Sequence, residues 1–207
     1  MKAWTLLCIV ACPVIAGCST VLDRHRHADP RTDRPAPMIF EKGSRLPGRS
    51  DVGPAEAEGV WSFFRTEQRV PLDEGEVAPF LYYALHLKLG PGDRYELVYQ
   101  AYVNTRNLGD PRMRALDVRE TGRFSLAAGT LQLEPNGTTL AEKHLGRITT
   151  QAIPDEHRRY EAALDGAWLN IAGPCARYQV EPICRDGRDV WYSLRASRLD
   201  WPLPPLR

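Results

Sequence analysis

Hydrophobic and polar residues alternate along several short stretches of the chain, with the period of two that is typical of half-buried β-strands. In the run from Leu81 to Leu89 the odd positions are apolar or aromatic, and the even positions become polar toward the end. A Gly-Pro-Gly-Asp turn at 90–93 follows, and the run from Tyr95 to Val103 again places its aromatic and apolar residues on one face. These two runs predict a long β-hairpin.

The same pattern recurs through the rest of the chain. Short strand-like runs at 124–126 and 130–134 flank a glycine-containing turn, and runs at 160–164 and 167–171 flank Asp165-Gly166, a strong hairpin signal. A last clear run covers 190–195. We therefore predict an all-β domain over residues 58–197, an antiparallel meander β-barrel of about eight to ten strands, because closure removes exposed edges.

Three segments do not follow this alternation. Residues 142–150 are compatible with a loop or a short helix, and Asn136-Gly137 is typical of a turn, although Asn136-Gly137-Thr138 also matches a glycosylation acceptor. The proline-rich tail, residues 198–207, cannot supply a central strand because proline lacks the backbone donor.

The first 17 residues have the layout of a secretory signal peptide, with Lys2 before an apolar stretch and small residues before Cys18. The apolar stretch is too short to span a hydrocarbon core of about 30 Å. The junction Ile15-Ala16-Gly17-Cys18 resembles the bacterial lipobox. That resemblance implies a diacylated Cys18 as the first mature residue; the alternative is an ordinary signal peptide that leaves Cys18 a free thiol.

Residues 18–57 are rich in Arg, Asp, Pro and Gly, with 38–40 the only apolar cluster, and we expect a disordered, lipid-anchored tether. His25 and His27 are expected to be solvated rather than metal-bound. By analogy with lipoproteins, Ser19 favours transfer to the outer membrane. The expected location is therefore the cell envelope, with the protein lipid-anchored at the outer membrane and facing the periplasm.

Charge and cysteine content limit the partners and the compartment. The chain carries 27 Lys and Arg against 26 Asp and Glu, so there is no basic field for nucleic acid. Cys8 and Cys12 leave with the signal peptide, whereas Cys175 and Cys184 remain. In an oxidising periplasm these two favour a disulfide; a metal pair is the alternative, although no histidine lies near them in sequence.

The domain begins with the G-x-W motif Gly59-Val60-Trp61, and short motifs follow at 122–126, 129–133 and 160–171. Their order is similar to that of bacterial lipocalin-like domains, small meander barrels of the calycin type. The resemblance implies that Trp61 packs across a closed barrel end against a late arginine, for which Arg195 and Arg198 are the candidates. It also implies a cup for a ligand.

Six aromatic residues are the candidates for a ligand cavity or a filled core: Trp61, Tyr83, Tyr95, Tyr99, Trp168 and Trp191. No nucleophile elbow, zinc helix or phosphate loop is present, so we expect no enzyme, no metal and no cofactor. The segment 155–157 (Asp-Glu-His) is expected to be a solvated loop. We therefore expect a non-catalytic module for contact with an envelope protein or for envelope structure; the alternative is a carrier of a small apolar ligand or lipid, and an enzyme inhibitor or an enzyme is less favoured.

Overall fold

A computed structural model of the chain describes residues 38–41, 43–68, 80–105 and 114–205. Its strands are β1 (Met38–Ile39), β2 (Gly59–Gln68), β3 (Phe80–Gly90), β4 (Arg94–Thr105), β5 (Arg114–Ala127), β6 (Thr130–His144), β7 (Arg147–Ala152), β8 (Arg158–Asp165), β9 (Trp168–Gly173) and β10 (Val190–Ser197). Helix α1 (Pro54–Ala57) precedes β2, and a 3-10 helix (Pro182–Asp186) precedes β10. The predicted signal peptide, Cys18 and residues 19–37 lie outside the described residues.

Eight of these strands close into an antiparallel barrel. The order is β2-β3-β4-β5-β6-β8-β9-β10, and the last strand, β10, pairs with both β9 and β2. Two strands lie outside the ring, since β1 pairs with β10 and β7 pairs with β6. The predicted all-β meander barrel of eight to ten strands is confirmed.

The β3–β4 hairpin follows the predicted alternation. Leu89 faces Tyr95 across the pair, next to the turn at residues 91–93. The odd residues from Tyr83 to Leu89 and from Tyr95 to Ala101 point into the barrel and are buried there, which follows from the period-two orientation of side chains in a strand. The even residues Tyr82 and His86 on the outer face are also buried, so the sheet is covered on that side too.

The β5–β6 pair corrects two expectations. Asn136-Gly137 is not a turn, because β6 continues through it, and the register shifts there between Thr121 and Gly122 as in a β-bulge. Residues 142–150 are neither loop nor helix: β6 runs to His144, turns at residues 145–146, and β7 pairs back along it. β7 was not predicted because all six of its residues are exposed, so no alternation of apolar and polar positions marks it.

Part of the expected tether is ordered. Within residues 38–57, strand β1 pairs with β10, and Arg49 exchanges backbone hydrogen bonds with Leu164. Val52 and Ala57 are buried in the core. Residues 43–57 therefore pack on the barrel, whereas their composition predicted a disordered segment. The two buried apolar side chains and the main-chain hydrogen bonds hold this segment in place.

The described part of the proline-rich tail lies across the outside of β3, β4 and β5. The Trp201 indole N–H donates to Glu96 at 2.6 Å, and the Lys88 ammonium lies 5.6 Å from the centre of the Trp201 ring. The Arg119 guanidinium donates to the carbonyls of Leu203 and Pro204. We call residues 199–205 the strap; they do not form a strand, as the prolines predict.

Candidate functional site

The barrel interior is filled by the protein's own side chains. Tyr83, Tyr95 and Tyr99 are buried to 2% exposure or less, and Trp61 to 5%. Trp168 and Trp191 instead lie on the outer face, because they alternate with the inward Leu169 and with the inward Val190 and Tyr192. Four of the six candidate aromatic residues therefore share the interior, and two lie outside the cavity that we expected them to line.

One cavity between these side chains is small. A cavity of about 10 Å³ lies between β3, β4, β6, β8 and the segment before β10, which is room for about one water molecule. Half of its lining residues are leucine or isoleucine, and the other half are Arg158, Gln179 and the tyrosines at 160, 178 and 192. Pockets that bind small molecules usually measure about 300–1,000 Å³.

A buried ion pair lies beside this cavity. The side chains of Arg158 and Glu120 are 2% and 1% exposed, and the Arg158 guanidinium donates to Oε1 of Glu120. The Tyr95 hydroxyl donates to the same oxygen at 2.6 Å, and Arg158 also donates to the Tyr178 hydroxyl at 2.7 Å. Among the described residues, Oε2 of Glu120 and Nε of Arg158 have no hydrogen-bond partner.

Gly122 makes room for the Tyr95 contact. A Cβ atom at this position would lie 2.8 Å from Cε1 of Tyr95 and 2.2 Å from the carbonyl oxygen of Glu134. Glycine at the bulge therefore lets the Tyr95 ring lie against the β5 backbone and reach Glu120, two residues away on the same strand.

Residues 174–189 close the other side of the cavity, and we call this segment the plug. Cys175 and Cys184 form a disulfide within it, with their Cα atoms 5.6 Å apart, so the predicted pairing is confirmed. The plug also carries Glu181, which is fully buried. The Tyr99 hydroxyl donates to Oε2 of Glu181 at 2.8 Å and accepts from the Val180 N–H at 3.1 Å.

Burial determines the protonation of this cluster. It raises the pKa of the Glu181 carboxyl above its ordinary value, although hydroxyl donors such as Tyr99 act in the opposite direction. Burial and the nearby Glu181 charge both raise the pKa of Tyr99, so its hydroxyl keeps the proton that it donates. Burial likewise raises the pKa of Glu120, against the attraction of the Arg158 guanidinium.

The two arginines that the lipocalin resemblance offers as partners of Trp61, Arg195 and Arg198, are placed elsewhere. The Trp61 indole N–H donates to the Ala57 carbonyl at 2.7 Å. The end of helix α1, just before β2, therefore contacts Trp61 at this end of the barrel. Arg195 lies with its guanidinium carbon 5.9 Å from the centre of the Trp168 ring on the outer face, and Arg198 is exposed.

The Asp155-Glu156-His157 segment connects β7 to β8. Asp155 accepts a hydrogen bond from the Thr138 hydroxyl at 2.7 Å, and Glu156 accepts one from the Arg177 backbone N–H at 3.2 Å. His157 is exposed. Within the described ranges no group of three or more His, Cys, Asp or Glu residues could hold a metal ion.

An open groove of about 560 Å³ lies outside the barrel, next to β8 and the end of β9. Its lining includes Ser50, Arg159, Glu161 and Asp189. This space is polar and open to solvent, so it does not suit an apolar ligand.

β7 folds back along the second half of β6, and we call residues 139–152 the β7 arm. All six residues of β7 are exposed. Two large apolar residues are exposed here: Leu145 at 61% and Ile148 at 44%. Within the described part of the chain β7 has β6 as its sole strand neighbour, so its other edge is open.

The interior polar residues were not among those predicted from the sequence, although the pattern contains a signal for two of them. Glu120 follows Leu116 and Val118 at the inward spacing of β5, and Arg158 precedes the inward Tyr160 at the same spacing in β8. A charged residue at an inward position of a barrel strand is a candidate buried ion. Glu181 lies in irregular backbone, where no such period applies.

No known protein family, curated protein or solved structure matches this chain. Helices long and apolar enough to cross a membrane do not occur among the described residues.

Proposed function

We propose that this protein is a lipid-anchored, non-catalytic module of the bacterial cell envelope that acts through protein–protein contact. The filled barrel interior is the observation that carries the proposal. Because the interior holds a cavity of about 10 Å³, a carrier function would need a large rearrangement. The outer surface and the exposed β7 arm are what the described part of the molecule offers to a partner.

The anchor part of the proposal rests on the N-terminal residues. The lipobox-like junction before Cys18 and the serine at position 19 support acylation and an outer-membrane location facing the periplasm. The Cys175–Cys184 disulfide supports an oxidising compartment. Two acyl chains would suffice for stable anchoring, whereas one holds only marginally.

The resemblance to lipocalin-like domains is also part of the proposal. A meander of eight strands in which the last pairs with the first supports it, as does Trp61 near a closed barrel end. The plug favours a barrel of this type that does not hold a ligand, because Glu181 and its hydroxyl partners occupy space that a ligand cup would leave open.

Fractionation and mass spectrometry test the anchor. Wild-type protein is expected in the membrane fraction with a diacylated Cys18 at its N-terminus, and Cys18→Ala is expected to abolish acylation and processing. Cys12→Ala is the matched control, because it changes a cysteine that the signal peptide would remove. An unmodified N-terminus in the wild type, or equal acylation of the Cys18→Ala variant, would refute the anchor.

Native mass spectrometry of the domain purified from its own host tests the contact function. A protein that co-purifies in a defined ratio supports the proposal, whereas a retained small molecule supports the carrier alternative and contradicts ours. Turnover of a lipid or peptidoglycan substrate that disappears on His157→Ala would contradict the non-catalytic part.

A further inference from the structure

The open edge of β7 presents main-chain groups in a defined order. The backbone N–H of Ile153 donates to the carbonyl of Thr138, and His144 faces Arg147 across the two-residue turn. Hydrogen-bonded positions alternate along an antiparallel pair, so Arg147, like residues 149 and 151, bonds toward β6. The N–H and C=O groups of Ile148, Thr150 and Ala152 therefore point away from β6, along the free edge.

This edge lacks the features that usually block strand pairing. Edge strands are commonly protected by proline, by inward charges or by a bulge. β7 has the sequence Arg-Ile-Thr-Thr-Gln-Ala, with its one charge at the first position and its first proline, Pro154, two residues beyond its end. The central residues have high strand propensity and low charge, which favours addition of another strand.

We propose that β7 pairs antiparallel with β7 of a second copy of this chain, about a two-fold axis at Thr150. Ile148 then faces Ala152 of the second copy, and Thr150 faces its own equivalent. Each of these facing pairs exchanges two main-chain hydrogen bonds, because all three residues direct their polar groups to the free edge. Thr–Thr pairs and aliphatic pairs are favourable across such a junction.

Charge favours an antiparallel pair of identical strands and excludes one alternative register. With the axis at Thr150, the arginine at the start of one β7 lies toward the end of the other, where Asp155 and Glu156 follow the strand. An axis at Ile148 would instead bring the two copies of Arg147 close together, which is unfavourable. The self-complementary charge pattern is why a second copy, rather than an unrelated strand, fits this edge.

The expected dimer is weak. One short strand on each side buries less than the roughly 1,200 Å² of a stable interface, and an isolated two-stranded pair is marginal. Anchoring both copies to one membrane would raise their local concentration, although no linker joins them. The proposal does not rest on the anchor, because the edge is a property of the barrel domain.

Site-directed cross-linking tests the register in the full chain, purified in mild detergent, with Cys8, Cys12 and Cys18 replaced by serine. In Thr150→Cys the two Cα atoms would lie about 5.5 Å apart, whereas in the control Arg147→Cys they would lie about 20 Å apart. A short bifunctional thiol reagent is expected to give a covalent dimer of the first variant and not of the second. Equal cross-linking of the two would overturn the proposal.

Sedimentation velocity tests the hydrogen-bonded edge without engineered cysteines. Thr150→Pro removes a donor on the free edge and leaves the bonds to β6 intact, so it is expected to abolish concentration-dependent dimerisation while thermal unfolding is nearly unchanged. Thr150→Ala retains the donor and is expected still to dimerise, somewhat more weakly than the wild type because the Thr–Thr contact is lost. A wild type that stays monomeric at the highest soluble concentration, or an association that Thr150→Pro leaves unaltered, would refute the proposal; neither result affects the proposed envelope function.

Discussion

At the scale of single residues, the buried Glu120–Arg158 pair is where the barrel interior is most sensitive to change. Both side chains are almost completely removed from water, so each compensates the desolvation cost of the other. We expect Arg158→Met to lower the free energy of unfolding by roughly 3–5 kcal/mol, because Glu120 is left as an uncompensated buried charge. Urea denaturation of the purified protein measures this.

The double variant Glu120→Leu with Arg158→Met separates loss of the pair from loss of packing. It is expected to be more stable than Arg158→Met alone, since an apolar pair carries no buried charge. The exposed ion pair Arg114–Glu142 provides the control, and Arg114→Met is expected to change stability by no more than about 1 kcal/mol. A double variant less stable than Arg158→Met would show that packing and not charge controls this site.

Glu181 gives the domain a pH dependence. Burial raises the pKa of its carboxyl above the ordinary value of 4.5, so the folded state holds this proton more tightly than the unfolded state does. The stabilisation is complete below pH 4.5 and is lost as the pH rises through the folded-state pKa. We expect the free energy of unfolding to fall over that range in the wild type, and to fall less in Glu181→Gln.

Urea titrations at a series of pH values above 4.5 provide the measurement, with Glu134→Gln, an exposed carboxyl on β6, as the matched control. The control should keep the wild-type slope. If Glu181→Gln and the wild type have parallel pH profiles, the buried carboxyl does not titrate as we expect.

At the scale of elements, the disulfide holds the plug over the interior. It links residues nine apart, and closing such a loop stabilises the folded state by about 2–3 kcal/mol in the chain-entropy account. We expect the double variant Cys175→Ala, Cys184→Ala to unfold at lower urea and to exchange amide hydrogens faster within residues 174–189. Exchange in β3 and β4 should remain slow, and uniform acceleration across the barrel would contradict a local role.

The strap stabilises the outer face of β3 and β4. Trp201→Ala removes a half-buried indole and its contacts with Glu96 and Lys88, so we expect a loss of about 1–2 kcal/mol in urea denaturation. Trp201→Phe retains the ring over Lys88 and is expected to lose less. Leu199→Ala in the same segment is a further comparison. Equal losses for the alanine and phenylalanine variants of Trp201 would mean that the ring contributes little.

Sequence alone predicts the strands whose two faces differ in polarity. β3 and β4 alternate clearly, and the Asp165-Gly166 turn marks the β8–β9 hairpin, so their type and order follow from the pattern. β7 has no buried face, hence no alternation to detect. Asn136-Gly137 has the local chemistry of a turn, but its place in the β5–β6 ladder is fixed by pairing across the sheet, which local sequence does not specify.

At the scale of the whole molecule, the site is harder to predict than the fold because it depends on which residues converge. Glu181 comes from an irregular segment and Tyr99 from β4, and they are 82 residues apart in sequence when they meet inside the barrel. Trp168 and Trp191 are aromatic residues of the kind that line ligand cavities, but their positions in β9 and β10 place them on the outer face. Composition identifies the candidates, and strand register decides which of them face inward.

The filled interior makes a prediction about the molecule as a whole. Leu133 is 1% exposed and borders the small cavity, so Leu133→Ala is expected to enlarge it and to lower the free energy of unfolding by about 2–5 kcal/mol. Apolar cavities created in this way stay dry and bind small hydrocarbons. Benzene is therefore expected to raise the melting temperature of Leu133→Ala and not that of the wild type. Leu145→Ala, at an exposed position, is the matched control and should behave like the wild type. Stoichiometric binding of benzene or a fatty acid by the unaltered protein would mean that the barrel opens in solution, and would restore the carrier function that the filled interior argues against.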